Sequence, residues 1–160
     1  MKCINLIKNH YKDKEQGFEA CAVALISMID RNFIDFKLTQ PWRDGGRDAI
    51  GKYKITTPGK NNLGLTIDCA LEAKCYDIKN SVGVKDMSRL ISRIKHRQFG
   101  VLVTTSYVNN QAYKEVIEDG HPILIVTASD IAAILKLNSI TSENIESWLN
   151  NIDANDERLF

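Results

Sequence analysis

The chemistry legible in this sequence rests on Asp48, Glu72 and Lys74. Two carboxylates held close together repel, and a divalent cation between them relieves that repulsion. Hard oxygen ligands that leave room for water suit Mg²⁺. A lysine two residues beyond the second carboxylate lies on the same face of a strand. There it can orient a water for attack on phosphorus, or neutralise charge in the transition state. The spacing by itself occurs in many proteins by chance, so the pattern counts only if local structure brings the groups together. The alternative reading is an ion pair of Glu72 and Lys74 on an edge strand.

The segment around Glu72 predicts a strand over 65–76, and side chains alternate faces along a strand. Cys69, Leu71, Ala73 and Cys75 fall on one face, while Asp68, Ala70, Glu72 and Lys74 fall on the other. A strand covered by helices on both sides is normally apolar on both faces. Ionisable groups on such a face are costly unless they pair or coordinate. Asp48 opens the preceding strand, expected over 48–55, and the hairpin loop Thr57-Pro58-Gly59-Lys60-Asn61-Asn62 returns the chain beside it. The turn residues Asp44-Gly45-Gly46-Arg47 lead into that strand.

The positioning elements follow from periodicity. Phe18, Cys21, Ala22, Leu25 and Ile29 predict a first helix over 13–31. A short strand is expected at 36–39, before the break at Gln40-Pro41. Beyond Gly83 come a helix over 85–97 and an apolar strand over 99–104. A helix over 109–119 should stop at Gly120, ahead of a strand over 123–126. Ser129-Asp130 is expected to cap a helix running to 135, and 141–149 reads as a last helix. The order α-β-β-β-α-β-α-β-α, followed by the last helix, implies an α/β domain whose mixed sheet is flanked by helices on both faces.

The chain has 160 residues, 44% apolar and 26% charged, and a net charge of +1. That suits one soluble globular domain over 1–160 and excludes disordered and disulfide-scaffold classes. The cysteines Cys3, Cys21, Cys69 and Cys75 have neither CxxC nor zinc spacing. Reduced cysteines in a cytoplasmic protein are the expectation. The start MKCINLIKNH is no signal peptide, and the longest apolar run, 20–29, is about half of what a membrane helix requires.

Several segments, in order, carry a family resemblance: Gly17-Phe18-Glu19-Ala20, Gly46-Arg47-Asp48-Ala49-Ile50-Gly51, Leu71-Glu72-Ala73-Lys74, and Gly100-Val101-Leu102-Val103-Thr104-Thr105-Ser106. With Ala112 and the stretch 123–135, they resemble the Mrr-like restriction endonuclease domain of the PD-(D/E)xK nuclease superfamily. The resemblance covers roughly 17–135. It implies a restriction-endonuclease-like fold that cuts double-stranded DNA with Mg²⁺. On the family pattern Asp48 and Glu72 match the metal ligands, joined by the carbonyl of Ala73, and Lys74 matches the catalytic lysine. Glu19 matches a position that often assists at the metal site; its plainer reading is a solvent-facing helix acid. Many Mrr-like members carry Gln where this chain has Glu72, as the wider superfamily and archaeal junction resolvases do. That departure weakens any inference toward methylated DNA. The readings are a restriction-type endonuclease, a structure-selective nuclease resembling a Holliday-junction resolvase, or a non-catalytic DNA-binding module that keeps the fold.

Candidate DNA contacts are Arg47 and the basic series Lys85, Arg89, Arg93 and Arg97, which recurs every four residues opposite the apolar stripe Val84, Met87, Ile91 and Ile94. The plainer reading is an amphipathic helix with a solvated basic face. Thr104 and Thr105 offer hydroxyls either to a phosphate or to the following turn. Trp42 is placed to stack on DNA or to pack; His96 and His121 are expected at the surface. Cutting both strands calls for two active sites, so a homodimer or a partner that reads sequence is expected. The acidic C-terminal helix, with Ile140, Ile145, Trp148 and Leu149, is either an interface or packed on its own domain.

Overall fold

The structure is a computed structural model and describes residues 2–39, 47–57, 64–94 and 98–156. The expected turn at 44–46, Trp42, His96 and Arg97 lie outside the described residues. The elements in chain order are α1 (Lys2–His10), α2 (Glu15–Ile29), β1 (Phe33–Leu38), β2 (Ala49–Thr56), β3 (Gly64–Lys74) and β4 (Ser81–Val82). They continue with α3 (Val84–Arg93), β5 (Phe99–Thr104), β6 (Tyr107–Val108), α4 (Asn110–Glu118), β7 (Ile123–Val126), α5 (Ala128–Leu137) and α6 (Ile145–Ala154).

Five strands form one sheet in the order β1-β2-β3-β5-β7, so β3 is central. β1, β2 and β3 pair antiparallel, as the hairpin chemistry requires, and β3, β5 and β7 pair parallel across helical crossovers. This is the expected mixed sheet with helices on both faces. The short β4 and β6 pair separately.

The alternation read along β3 sets the two layers. Cys69, Leu71 and Ala73 face a core built with Phe18, Leu25 and Ile26 of α2, Ile131 and Leu135 of α5, and Ile145 and Leu149 of α6. On the opposite face Met87 and Leu90 of α3 pack with Leu102 of β5 and with Ala112 and Val116 of α4. Helix α2 closes at Gly17 on Tyr11, the residue after α1: a Cβ there would come within 2.8 Å of the Tyr11 ring.

Three local features differ from expectation. The first helix of the chain is α1, whose Ile4 and Ile7 are buried at helical spacing. Its few apolar residues give too short a pattern to separate from an irregular N-terminus. The α5 cap is Thr127 rather than Ser129: the Thr127 N–H donates to Asp130 Oδ2 at 2.8 Å, the reach-back half of a capping box. The last helix begins at Ile145 because Asn144 Oδ1 accepts from the Thr141 N–H at 2.7 Å, closing a turn ahead of it. Gly120 has φ +63 just past α4, the expected left-handed stop.

Candidate active site

Asp48 and Glu72 reach one place because β2 starts opposite the end of β3. The Asp48 N–H donates to Leu71 O at 3.1 Å, and Ala49 lies in register with Leu71. The side chain of Asp48 then extends along β3, where Oδ2 accepts the Ala73 N–H at 2.7 Å. Glu72 is fully buried, at 0% exposure, on the face covered by α3.

A buried carboxylate needs compensation, and Glu72 has it on both oxygens. Lys74 Nζ donates to Oε1 at 2.7 Å, and Arg93 Nη1 donates to Oε2 at 2.7 Å. Arg89, one turn before Arg93, brings Nε to 3.9 Å from Oε1. The Glu72–Lys74 ion pair therefore exists, but on the central strand of the sheet rather than at an edge.

The local electrostatics carry an excess that is not fully relieved. Burial, with the neighbouring charge of Glu72 next, raises the Asp48 pKa above the ordinary carboxylate value; the Ala73 N–H, Lys74 and Arg89 only partly offset this. For Lys74 burial pulls the pKa down, but the charge and hydrogen bond of Glu72 outweigh it and the net shift is upward. Lys74 thus stays a cation through the neutral range. It is equipped to donate hydrogen bonds and to stabilise negative charge, not to take up a proton.

Asp48, Lys74 and the Ala73 backbone open into a cleft of about 270 Å³ that is also lined by Glu19, Asp86 and Arg89. Glu19, on α2, is half-buried among the residues that line this cleft. A larger hollow of about 520 Å³ between α2, β1 and α6 contains none of these ionisable groups. Among the described residues no ready cluster of three or more His, Cys, Asp or Glu side chains stands as a metal cage. The donor types nevertheless fit a hard divalent ion: the Asp48 carboxylate, the Glu72 carboxylate and the carbonyl of Ala73 are all oxygens.

The remaining expected contacts separate by position. Lys85 is exposed, Arg89 is half-exposed at the cleft, and Arg93 is turned inward at 13% side-chain exposure. A four-residue repeat advances about 40° per step around a helix of 3.6 residues per turn. The basic series is a slowly drifting stripe that winds from solvent inward, with Arg93 turned against Glu72. Thr104 and Thr105 are also corrected: both are fully buried. Thr104 Oγ1 accepts the Ser106 N–H at 3.2 Å, and Thr105 Oγ1 donates to Tyr76 O at 2.7 Å. These hydroxyls fix the turn beyond β5 and do not face a phosphate. Arg47 is half-buried, its carbonyl accepts from Thr39 Oγ1, and its Nε is buried without a hydrogen-bond partner among the described residues.

Sequence reasoning did not anticipate the group that ties α6 to the N-terminal helices. His10 Nε2 lies 2.8 Å from Asp153 Oδ2, and the Tyr11 hydroxyl donates to Asp153 Oδ1 at 3.1 Å. Ile145 and Leu149 are buried in the main core, with Ile140 and Trp148 packed against it. The C-terminal helix is thus packed on its own fold.

Fold and site together define a restriction endonuclease domain, and the model of that family, of the Mrr catalytic type, matches residues 12–135. The chain belongs to this family. It is similar to the DNA modification-dependent restriction endonuclease AspBHI, with 51% identity and a TM-score of 0.84 over 95% of this chain and 39% of that one. It also shares the fold of MspJI restriction endonuclease, solved in complex with a 27-mer oligonucleotide. There the identity is 22% and the TM-score 0.79, over 93% of this chain and 34% of that one. The chain thus spans well under half the length of either neighbour. No curated protein matches it. No helix among the described residues is long and apolar enough to cross a membrane.

Proposed function

We propose that this chain is the catalytic part of a Mg²⁺-dependent endodeoxyribonuclease of the restriction type, acting on double-stranded DNA. The observation that carries the proposal is the convergence of Asp48 and Lys74 on one cleft, with the fully buried Glu72 joined to Lys74 at 2.7 Å. Membership of the restriction endonuclease family supports it, and domains of this kind generally depend on a divalent metal.

In this reading Asp48, Glu72 and the carbonyl of Ala73 would hold Mg²⁺. Once bound, it supplies a Lewis acid for a phosphate oxygen and a water of lowered pKa. The chain's own residues do the rest. Lys74 remains protonated and donates to the attacking water or to a non-bridging oxygen, stabilising charge as it develops on the phosphoryl group. Arg89, half-exposed at the rim, meets the incoming backbone. Glu19 supports the same cleft from α2. In-line attack with the 3′ oxygen leaving gives 5′-phosphate and 3′-hydroxyl ends. Recognition of sequence or modification is assigned to a further domain or partner, and cleavage of both strands to a pair of active sites.

The test compares supercoiled plasmids, with and without modified cytosine, and a synthetic four-way junction, each incubated with the protein and Mg²⁺. The restriction-type reading expects the plasmid to be nicked and linearised and EDTA to stop the reaction. Cleavage of the junction alone would replace it with the structure-selective reading. Cleavage of neither would leave a DNA-binding module.

A further inference from the structure

The hydrolytic reading gives Arg93 no step, yet Arg93 makes one of the two shortest contacts to Glu72. Its Nη1 stands 2.7 Å from Glu72 Oε2 with the side chain 13% exposed, while Lys74 Nζ stands 2.7 Å from Oε1. Both oxygens of the carboxylate that a bound metal must share are therefore held by cations. Arginine stays charged throughout the accessible pH range, so this positive charge leaves Glu72 only by movement of the side chain. Arg93 is the last residue of α3, and Ile94 after it is extended, so the guanidinium sits where the helix ends.

We propose that Arg93 is a resident stand-in for the divalent cation. Without metal it holds Glu72 Oε2 and compensates its charge; when metal binds it competes for the same oxygen. The inference rests on Asp48 and Glu72 being the metal-holding pair. The physical ground is charge. Asp48 and Glu72 carry two negative charges into a largely buried site, where uncompensated ions are strongly disfavoured. Lys74 balances one of them. A pair kept ready before metal arrives needs a second cation; Arg93 supplies it by direct contact at Oε2, while the half-exposed Arg89 stays 3.9 Å from Oε1. A fixed positive charge at this place also opposes an incoming one.

The test titrates Mg²⁺ into DNA-free protein by calorimetry, wild type against Arg93→Gln. Glutamine keeps an N–H donor for Oε2 and removes the charge. The expected result is Mg²⁺ binding about tenfold tighter in the variant, with a larger Mg²⁺-induced rise in Tm. Unchanged or weaker binding would overturn the stand-in role. A second readout needs no variant: in ¹⁵N-detected spectra of the wild type, the Arg93 guanidinium signals shift as Mg²⁺ is added, and signals that stay fixed at saturation would overturn it too. Plasmid cleavage by the wild type is measured alongside. If the wild type cuts DNA while Arg93→Gln gains no affinity, the stand-in role alone fails. If Asp48→Asn titrates Mg²⁺ as the wild type does, the metal-holding pair is wrong and both readings fall.

Discussion

Glu72→Gln is expected to lower DNA cleavage by about 10³-fold, the several kcal/mol that a metal-centred site contributes, and to destabilise the fold by about 3 kcal/mol. The second effect follows from what surrounds the side chain. Lys74 and Arg93 both point at Glu72, and they are only 16% and 13% exposed. The amide keeps the shape of the residue and removes the charge that these two cations were ordered to meet. Breaking a buried pair by neutralising one partner costs far more than losing a surface ion pair. Urea unfolding measures the stability, and single-turnover plasmid cleavage measures the chemistry. A Glu72→Gln protein as stable as the wild type would show that the charge cluster does not organise the end of β3.

Lys74→Met should reduce cleavage by about 10²–10³-fold, as removal of one preorganised charge-stabilising donor does, and disturb the fold much less. Methionine retains much of the buried stem, and Glu72 keeps Arg93 on Oε2. The pKa of Lys74 is raised, burial lowering it but Glu72 outweighing that. Its stabilising charge is therefore fully present below the ordinary lysine value of about 10.4 and is lost only as pH rises through the higher folded value. Across the neutral range the lysine acts as a fixed cation, so the deficit of Lys74→Met should not vary with pH there. Cleavage by Lys74→Met at the wild-type rate, with DNA saturating, would reduce Lys74 to a structural ion-pair partner of Glu72.

The central part of the fold was readable because its signals are local and periodic. Alternation along β3 separated Leu71 and Ala73, which entered the main core, from Glu72 and Lys74 on the face beneath α3. The strands over 99–104 and 123–126 have the bounds expected of short apolar runs. The site was legible to the extent that strand phase fixes it: Asp48 beside β3, and Glu72 with Lys74 on one face. What stayed hidden depends on burial, which residue types do not encode. Thr104 and Thr105 read as candidate phosphate ligands because hydroxyls end an apolar strand; only the packing of the turn against Tyr76 and Ser106 shows them sealed. Arg93 read as part of a slowly drifting basic stripe; the drift was in the spacing, but the contact with Glu72 at its inner end was not. The His10–Tyr11–Asp153 group joins residues more than a hundred positions apart, and no spacing rule connects them. Helix α1 was missed because its pattern rests on a few residues, and its stability comes from packing rather than propensity.

The central claim is most directly tested with Asp48→Asn on supercoiled plasmid and Mg²⁺. Burial first, and the charge of Glu72 second, raise the Asp48 pKa. A carboxyl raised in the folded state contributes its stability below the unfolded value, about 3.9, and loses it as pH rises through the folded one. At neutral pH the ionised group therefore opposes folding, and Asp48→Asn should melt above the wild type, with the difference shrinking as pH falls toward that value. The account predicts that this well-folded variant leaves the plasmid supercoiled while the wild type nicks and linearises it. Cleavage by Asp48→Asn at the wild-type rate would contradict it.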